Sequence, residues 1–277
     1  MTKRERTLPT YNHIMEKCND RSLDTRVNQL ANRKNRIVMG ITQLNFEGKN
    51  KVEVAIDLLR ACEPPDDYYG ADSGGKDSIA IRLLSRLARV RVDWHYCVSP
   101  IDPPEVHQFL RQYHPDTQWD YHARGFWKLV HKKGLPLRQA RWCCEVIKEA
   151  GGLGRTIIVG NRRLESANRS KQKCFEKHSK VDKIFLRPII DWTEGEVWEL
   201  IRKHNEPYCT LYDEGFKRLG CVLCPFVRDV KREIERFPKI ARLWRLSCDH
   251  IMKRRLAKGN ATFKDGQELW DWWISRK

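Results

Sequence analysis

The sequence predicts an α/β fold, in which a parallel sheet is flanked by helices, with helical extensions at the N- and C-termini. Two observations support this prediction. Short apolar segments of strand length alternate with amphipathic segments of helix length, and this order produces parallel strands joined by right-handed crossovers. A glycine-rich turn also follows the first strand and leads directly into a helix. In such sheets, ligands bind at the carboxyl ends of the strands.

The elements of the first half follow from the spacing of apolar residues. From Lys51 this spacing predicts an amphipathic helix that ends before Pro64. Tyr68–Ala71 is then a short buried strand that leads into the glycine-rich turn. Ile79–Val90 follows as a helix, with aliphatic residues on one face and arginines on the other. Val92–Val98 is the second predicted strand.

The later elements are bounded by proline, glycine and capping residues. Glu105–Tyr113 is predicted as a helix that follows two prolines. Thr156–Val159 is apolar throughout and is bounded by glycines, which predicts a third strand. Thr193 and Glu196 form a capping box that opens a helix over Val197–Lys203.

By composition the chain divides into three predicted regions. Residues 1–46 form a basic N-terminal extension, and residues 47–225 form the α/β domain that carries the motifs. Residues 226–277 form a basic, helical region rich in tryptophan. The density of Trp270, Trp272 and Trp273 is typical of a terminal helix that closes a core.

Charge and cysteine content restrict the partners and the compartment. The formal net charge is +17, which favours an acidic partner such as nucleic acid. No apolar run approaches the length of a membrane span and no signal-peptide pattern is present, so we expect a cytoplasmic protein without membrane contact. The ten cysteines then indicate free thiols and metal or cluster ligands rather than disulfides.

The most informative motif is a six-residue loop between the first strand and its helix. Two adjacent glycines allow a tight turn and a close approach to a ligand, because neither carries a Cβ. The helix N-terminus that follows favours an anion. A lysine adds positive charge and two serines add hydroxyl donors. The predicted nucleotide-binding residues of this loop are Ser73, Gly74, Gly75, Lys76, Asp77 and Ser78.

Lys76 and Asp77 are the candidate catalytic residues of the loop. Chemistry on a nucleoside triphosphate requires Mg²⁺, which neutralises phosphate oxygens and is held by carboxylates directly or through water. Asp77 is the local carboxylate for that role. A carboxylate at the start of a helix also pairs with the helix dipole, so both roles are open for Asp77.

Four cysteines form the second feature, as the pair Cys143-Cys144 and the turn Cys221-x-x-Cys224. A Cys-x-x-Cys turn lets two thiolates bind one metal centre, and two further sulfurs complete a tetrahedral set. Zinc and an iron–sulfur cluster both satisfy this pattern. Neighbouring cysteine side chains diverge, which favours a cluster with separate iron corners over a single zinc ion.

Taken in order, these motifs resemble the phosphoadenosine phosphosulfate (PAPS) reductase family, within the PP-loop ATP pyrophosphatases. The resemblance runs from about Lys51 to Pro225 and rests on Ser73 to Ser78, Arg141-Trp142-Cys143-Cys144, Gly160-x-Arg162-x-x-Glu165-Ser166-x-x-Arg169, Pro188-Ile189-Ile190-Asp191-Trp192 and Gly220-Cys221-x-x-Cys224-Pro225. It implies an adenine-nucleotide α-hydrolase-like fold. It also implies that the four cysteines surround a [4Fe-4S] cluster, as in the cluster-bearing members.

The same resemblance implies that a segment after the third strand crosses the nucleotide site. Gly160, Arg162 and Arg169 are the candidate nucleotide-binding residues of this segment. Planar guanidinium groups bind phosphate through two parallel hydrogen bonds, which suits the phosphates of ATP or of an adenylylated product.

The first functional hypothesis is an ATP-dependent enzyme that adenylylates an oxygen of its substrate and releases pyrophosphate, so that sulfur can replace that oxygen. The chain is then similar to the ATP pyrophosphatase component of DNA phosphorothioation systems. Its implied partners are an adenine nucleotide, nucleic acid and a sulfur-donor protein such as a cysteine desulfurase. The cluster would hold or deliver the sulfur.

Two alternatives belong to other classes. The first is reduction of PAPS or its 5′-phosphosulfate analogue to sulfite, with thioredoxin as donor. Family reductases use a cysteine near the C-terminus in a Glu-Cys-Gly-x-His setting, whereas Cys248 lacks that glutamate and glycine and falls in a helical pattern. Cys174 is a further candidate for sulfur handling. The second alternative is a non-enzymatic nucleic-acid-binding module in which the four cysteines hold a structural zinc.

Overall fold

A computed structural model describes residues 48–122 and 125–276. These residues form two compact units. The first, the sheet unit, contains the described residues up to Tyr96, Tyr113–Gln118 and Gly152–Cys209. The second, the cysteine unit, contains Cys97–Gln112, the described residues between Trp119 and Gly151, and the described residues from Thr210 onward. The predicted N-terminal extension, residues 1–46, lies outside the described residues, and the predicted domain boundaries stay a prediction.

Six strands form one sheet in the order β3-β2-β1-β4-β6-β5. The central pairs β2–β1, β1–β4 and β4–β6 are parallel, and β5 pairs with β6 in the antiparallel direction. The predicted α/β class with a parallel sheet is therefore confirmed. The strand bounds are β1 Tyr68–Ala71, β2 Val92–Cys97, β3 Gln118–Asp120, β4 Thr156–Ile158, β5 Phe175–Lys177 and β6 Ile184–Leu186.

Eight α-helices are described, and their ends follow the expected capping chemistry. Thr193 and Glu196 form the predicted capping box, although the helix begins at Glu194 rather than Val197. A second capping box joins Asn50 and Glu53. The helices are α1 Lys51–Ala61, α2 Lys76–Ala88, α3 Pro104–Tyr113, α4 Phe126–Lys133, α5 Glu194–Lys203, α6 Val230–Arg236, α7 Pro238–Leu256 and α8 Gly266–Ser275. Among the described helices, none is both long and apolar enough to cross a membrane.

In the sheet unit, helix α2 packs against both α1 and α5. Tyr68 in β1 and Leu84 in α2 are fully buried. Gly70 occupies the middle of β1, where an added Cβ would lie 2.4 Å from a ring carbon of Trp94. A glycine is therefore required there, because Trp94 packs directly over the β1 backbone.

The core of the cysteine unit is aromatic. Trp244 in α7 and Trp273 in α8 are buried with their ring centroids 4.7 Å apart. The indole Nε1 of Trp273 donates to the Pro136 carbonyl at 2.9 Å, which satisfies its only polar atom. The prediction that C-terminal tryptophans close a core is thus confirmed for Trp270 and Trp273, both of which are buried.

Candidate nucleotide site and four-cysteine centre

The predicted phosphate-binding loop connects β1 to α2 at the carboxyl end of the sheet. Gly74 has φ of 66°, in the left-handed region that glycine adopts without strain. Gly75 is the N-cap of α2, so the helix begins at Lys76, three residues before the predicted start at Ile79. The first intrahelical backbone bond runs from Ile79 N to the Gly75 carbonyl at 3.0 Å. Lys76, Asp77 and Ser78 therefore form the first turn of α2, which directly follows the loop.

The two loop serines brace the turn. The Ser78 hydroxyl donates to the Gly75 carbonyl at 2.8 Å and accepts from the Ser73 backbone N–H at 3.3 Å. The Ser73 hydroxyl oxygen lies 3.3 Å from that of Ser78 and accepts from Gly75 N at 3.4 Å. Both side chains, which the sequence predicted as ligand donors, are here part of the internal bonding that fixes the loop.

The buried side chain of Asp72 holds the loop by accepting a hydrogen bond from its backbone. The sequence analysis did not identify this residue. Its Oδ1 accepts from Gly74 N at 3.0 Å, while Oδ2 lies 2.6 Å from His114 Nδ1 and accepts from the Thr117 hydroxyl at 3.3 Å. Burial alone raises the pKa of Asp72, but the hydrogen bond and charge of His114, with Gly74 N and Arg82, outweigh burial and place the pKa below its ordinary value. A buried carboxylate thus holds the positive-φ glycine in place.

Lys76, Asp77, Gly160 and Arg162 come together beside the loop. Strands β1 and β4 are parallel neighbours, so the segments that follow them emerge at the same edge of the sheet. Arg162 Nε donates to Asp77 Oδ1 at 2.7 Å, and Lys76 Nζ lies 3.6 Å from Asp77 Oδ2. Lys76 Nζ also lies 3.4 Å from Glu194 Oε1. Asp77 therefore neutralises two buried cations in this structure, and its predicted magnesium role stays a prediction.

Gly160 is the contact point between the two segments. An ideal Cβ at this position would lie 2.8 Å from both the carbonyl carbon and the carbonyl oxygen of Asp77. The close approach of two backbones thus depends on the missing side chain.

Arg169 joins the same segment through Glu165. The Glu165 carboxylate accepts from Arg162 N at 2.9 Å and pairs with the Arg169 guanidinium. Burial raises the pKa of Glu165, but the Arg162 N–H and the Arg169 charge outweigh it and hold the pKa below its ordinary value. The side chain of Arg169 is 30% exposed, so it can still contact a ligand at its outer face.

The cysteine pair lies at the start of a single π-helical turn, Cys144–Lys148. A hydrogen bond from Cys143 lowers the pKa of Cys144 to about 6, with Arg141 acting in the same direction against burial. Arg141 Nη2 donates to Cys144 Sγ at 3.3 Å. The bond to Cys144, burial and the charges of Cys221 and Cys224 raise the pKa of Cys143. Cys144 therefore has the environment of a thiolate.

The Cys221–Cys224 turn lies in the same unit as the cysteine pair. Leu223 has φ of 56° and Cys224 N donates to the Cys221 carbonyl at 3.2 Å, which closes the turn. Lys148 Nζ contacts Asp102 Oδ2 at 2.5 Å and the Cys97 carbonyl at 3.2 Å. Burial opposes the charge of Lys148, but Asp102 and Cys221 raise its pKa above the ordinary value. A fixed cation thus lies near the thiols.

Four thiols are a donor set of the kind that a soft metal centre uses. Cys144, Cys221 and Cys224 all raise the pKa of Cys143. Thiolates are the ligands that zinc and iron–sulfur clusters prefer. Within the residues that the structure describes, no three His, Cys, Asp or Glu side chains are grouped as a site for a metal ion.

The two remaining candidate cysteines are inaccessible. Cys248 lies in the middle of α7 with no exposed surface. Cys174 is 1% exposed and donates to the Arg187 carbonyl at 3.4 Å, and burial raises the pKa of its thiol to about 12. Neither thiol is placed as a nucleophile in this conformation.

A mostly parallel α/β sheet with a glycine loop at the carboxyl end of β1 is typical of nucleotide-binding α/β proteins. The phosphoadenosine phosphosulfate reductase domain matches residues 69–227, more than half of the chain. The chain therefore belongs to the phosphoadenosine phosphosulfate reductase family, as its motif order predicted.

Several curated proteins are similar in sequence. An uncharacterised protein of Methanocaldococcus jannaschii is 30% identical over 73% of this chain and 45% of its own length. Adenosine 5′-phosphosulfate reductase of Allochromatium vinosum is 33% identical over 61% of this chain and 73% of the relative. A probable FAD synthase of Schizosaccharomyces pombe is 37% identical over 57% of this chain and 60% of the relative. The chain thus spans about half the length of the Methanocaldococcus proteins that it matches.

Two solved structures illustrate the structural matches. PAPS reductase from Candida auris, in a phosphate complex, aligns with a TM-score of 0.48 and 17% identity over 66% of this chain and 98% of the other. FMN adenylyltransferase from Candida glabrata, in complex with ATP, aligns with a TM-score of 0.46 and 17% identity over 78% of this chain and 72% of the other.

Proposed function

We propose that the chain cleaves ATP between its α- and β-phosphates and transfers the adenylyl group to an oxygen of a substrate. The substrate oxygen attacks the α-phosphorus, the bond to the β-phosphate breaks, and pyrophosphate leaves. A sulfide-level sulfur nucleophile then takes the place of that oxygen, which departs with AMP, so no electrons are gained or lost. The proposed substrate is a nucleic acid, in accord with the charge of +17.

The observation that carries the proposal is the braced glycine loop at the start of α2. Its N-terminal N–H groups and the helix dipole suit a polyphosphate. The buried Lys76 ammonium is held within 4 Å of Asp77 and Glu194, so it is already oriented when phosphate arrives. Mg²⁺ would enter with the triphosphate and neutralise its oxygens. Arg162 keeps the Asp77 carboxylate in position at 2.7 Å.

The sulfur half of the proposal rests on the thiol chemistry of four cysteines. Cys143, Cys144, Cys221 and Cys224 would hold a [4Fe-4S] cluster. With all four irons ligated by cysteine, such a cluster would have no open iron site, and the sulfur that it would hold or deliver is its own sulfide. Arg141, which donates to Cys144 at 3.3 Å, and the partly exposed Lys148 would offset the negative charge of the thiolates. The proposed donor is a sulfur-carrying protein such as a cysteine desulfurase, together with a thiol reductant that supplies the two electrons needed to release its persulfide sulfur at the sulfide level.

Reduction of an adenylyl sulfate to sulfite is the second candidate. The observation in its favour is the 33% identity to an adenosine 5′-phosphosulfate reductase. That reaction needs an accessible cysteine nucleophile and a dithiol donor such as thioredoxin, whereas Cys248 has no exposed surface in α7. The sulfur-transfer proposal therefore has the stronger structural support.

The test is a product assay with Mg·ATP, a sulfide donor and candidate nucleic acids. We expect AMP and pyrophosphate, and we expect both to fall at least 100-fold in Lys76→Met, because the ammonium group would neutralise the charge on the departing pyrophosphate. Lys203→Met, on the exposed end of α5, is the matched control and keeps wild-type turnover. Release of ADP and phosphate contradicts the proposal.

A parallel assay separates the alternatives. Sulfite formation from adenylyl sulfates with thioredoxin, lost in Cys248→Ser, would establish the reductase instead. Metal analysis of anaerobically purified protein tests the cluster: iron with acid-labile sulfide supports it, while one zinc and no iron indicates a structural module.

A further inference from the structure

An exposed cleft lies on α4 and α7 of the cysteine unit. Its residues are separate in sequence from the glycine loop and from the four cysteines. Its volume is about 260 Å³. The rings of His131 and His250 stack across it with centroids 3.9 Å apart and planes at 20°. Leu243 and Leu246 are 42% and 51% exposed on its wall. The complete lining is Trp127, His131, Leu243, Leu246, Ser247 and His250.

The surroundings of this cleft are strongly basic. Helix α7 carries six lysines and arginines against the single acid Asp249, and Asp249 pairs with Arg245 at 2.5 Å. Helix α4 carries three lysines and no acidic residue. Lys128 on α4 and Arg242 and Lys253 on α7 are all exposed. We call the cleft with these basic residues the α4–α7 face.

The first of the two stacked histidines, His131, is a neutral ring at neutral pH. Burial, His250 and Arg254 lower the pKa of His131 below its ordinary value. A neutral imidazole stacked on a second ring presents a flat, weakly polar surface, and the exposed leucines extend it. Planar aromatic groups bind such surfaces by stacking.

We propose that the α4–α7 face binds single-stranded nucleic acid, with bases stacked on His250 and its apolar neighbours and phosphates held by the surrounding lysines and arginines. Stacking platforms set in a basic groove are how proteins bind single strands. A duplex has already stacked its bases on one another and offers only phosphates. The inference rests on the nucleic-acid partner in the proposed function but is independent of the ATP chemistry.

The stacking part is tested by fluorescence anisotropy with a labelled single-stranded oligonucleotide, on the full chain and without ATP. We expect His250→Ala to weaken binding about tenfold, which is the usual scale for loss of one stacked base. His204→Ala, an exposed histidine at the end of α5, is the matched control and leaves the affinity unchanged. An abasic oligonucleotide should bind both variants and the wild type equally.

The electrostatic part is tested by salt dependence. Arg242→Gln with Lys253→Gln should lower the slope of log affinity against log salt by about 1.4, at roughly 0.7 per lost phosphate contact. Arg202→Gln with Lys203→Gln removes the same charge from an exposed part of the sheet unit, and it should leave the slope unchanged.

Three results would overturn the inference: equal binding by His250→Ala and wild type, equal affinity for abasic and intact strands, or equal slopes for the two charge variants. Self-association of the chain through this face, seen as a concentration-dependent sedimentation coefficient lost in Leu246→Asp, would also replace it. Binding that depends on His250 while Mg·ATP yields no AMP would support this inference and reject only the ATP chemistry.

Discussion

Replacing Gly160 by alanine tests the joint between the phosphate loop and the arginine segment. The added Cβ would lie 2.8 Å from the carbonyl oxygen of Asp77. Carbon and carbonyl oxygen normally meet at about 3.3 Å, so the two backbones must separate by roughly 0.5 Å. The φ of Gly160 lies outside the left-handed region where side chains are strained, so the cost of the change comes from the close contacts with Asp77.

The magnitude follows from that displacement. Overpacking of this kind costs about 1–3 kcal/mol of unfolding free energy. A misplacement of ~1 Å at a reacting centre can cost ~100-fold in rate, so a shift of half that size should lower AMP formation roughly tenfold. Arg162 moves with Gly160, so its 2.7 Å bond to Asp77 lengthens as well.

The assay combines urea unfolding with AMP formation from Mg·ATP. Gly195→Ala is the matched control, because its added Cβ meets only the Thr193 hydroxyl at 3.8 Å and it lies in the first turn of α5. We expect wild-type turnover and unchanged or slightly higher stability for that control. Wild-type stability and turnover in Gly160→Ala would refute the close-approach reasoning.

Three further predictions concern individual side chains. Asp72→Asn should lower the unfolding free energy by about 2 kcal/mol at neutral pH, the scale of hydrogen bonds to a charged group. Because the folded pKa of Asp72 is depressed below 3.8, the stability that the carboxylate contributes is present above that value and is lost as pH falls below it. Urea titrations of wild type and variant at several pH values measure this difference. Cys224→Ser should remove most iron and acid-labile sulfide from anaerobically purified protein, whereas Cys174→Ser should retain both. Cys248→Ser should leave AMP formation within about twofold of wild type, since a buried helical thiol takes no part in the proposed chemistry, and a loss above tenfold would contradict this.

Much of the fold could be predicted because the strong elements are long or apolar. Helix α2 and strand β1 have clear periodicity, and the loop between them has a recognisable composition. Strands β3, β5 and β6 were missed. Each has only three residues, which carry no usable alternation, and none is bounded by glycines as the equally short β4 is. The start of α2 was placed late because Lys76, Asp77 and Ser78 are polar, although Gly75 caps them.

The candidate site was predictable where its residues are close in sequence. The loop residues and the Cys-x-x-Cys turn are local patterns. The Asp72 network was missed because it joins Asp72 to His114 and Thr117, separations of 42 and 45 residues, and local spacing carries no signal for such pairs. An aspartate directly ahead of a glycine turn was the only local hint, since its carboxylate can accept from the turn's N–H groups.

The cysteine unit is assembled from three stretches of chain that are separated by sheet-unit residues. During synthesis, Cys143 and Cys144 leave the ribosome before Cys221 and Cys224, and the buried Trp273 emerges later still. The proposed sulfur ligand set is therefore incomplete until Cys224 has been translated. Until then the first two thiols would be exposed to oxidation without a metal to protect them.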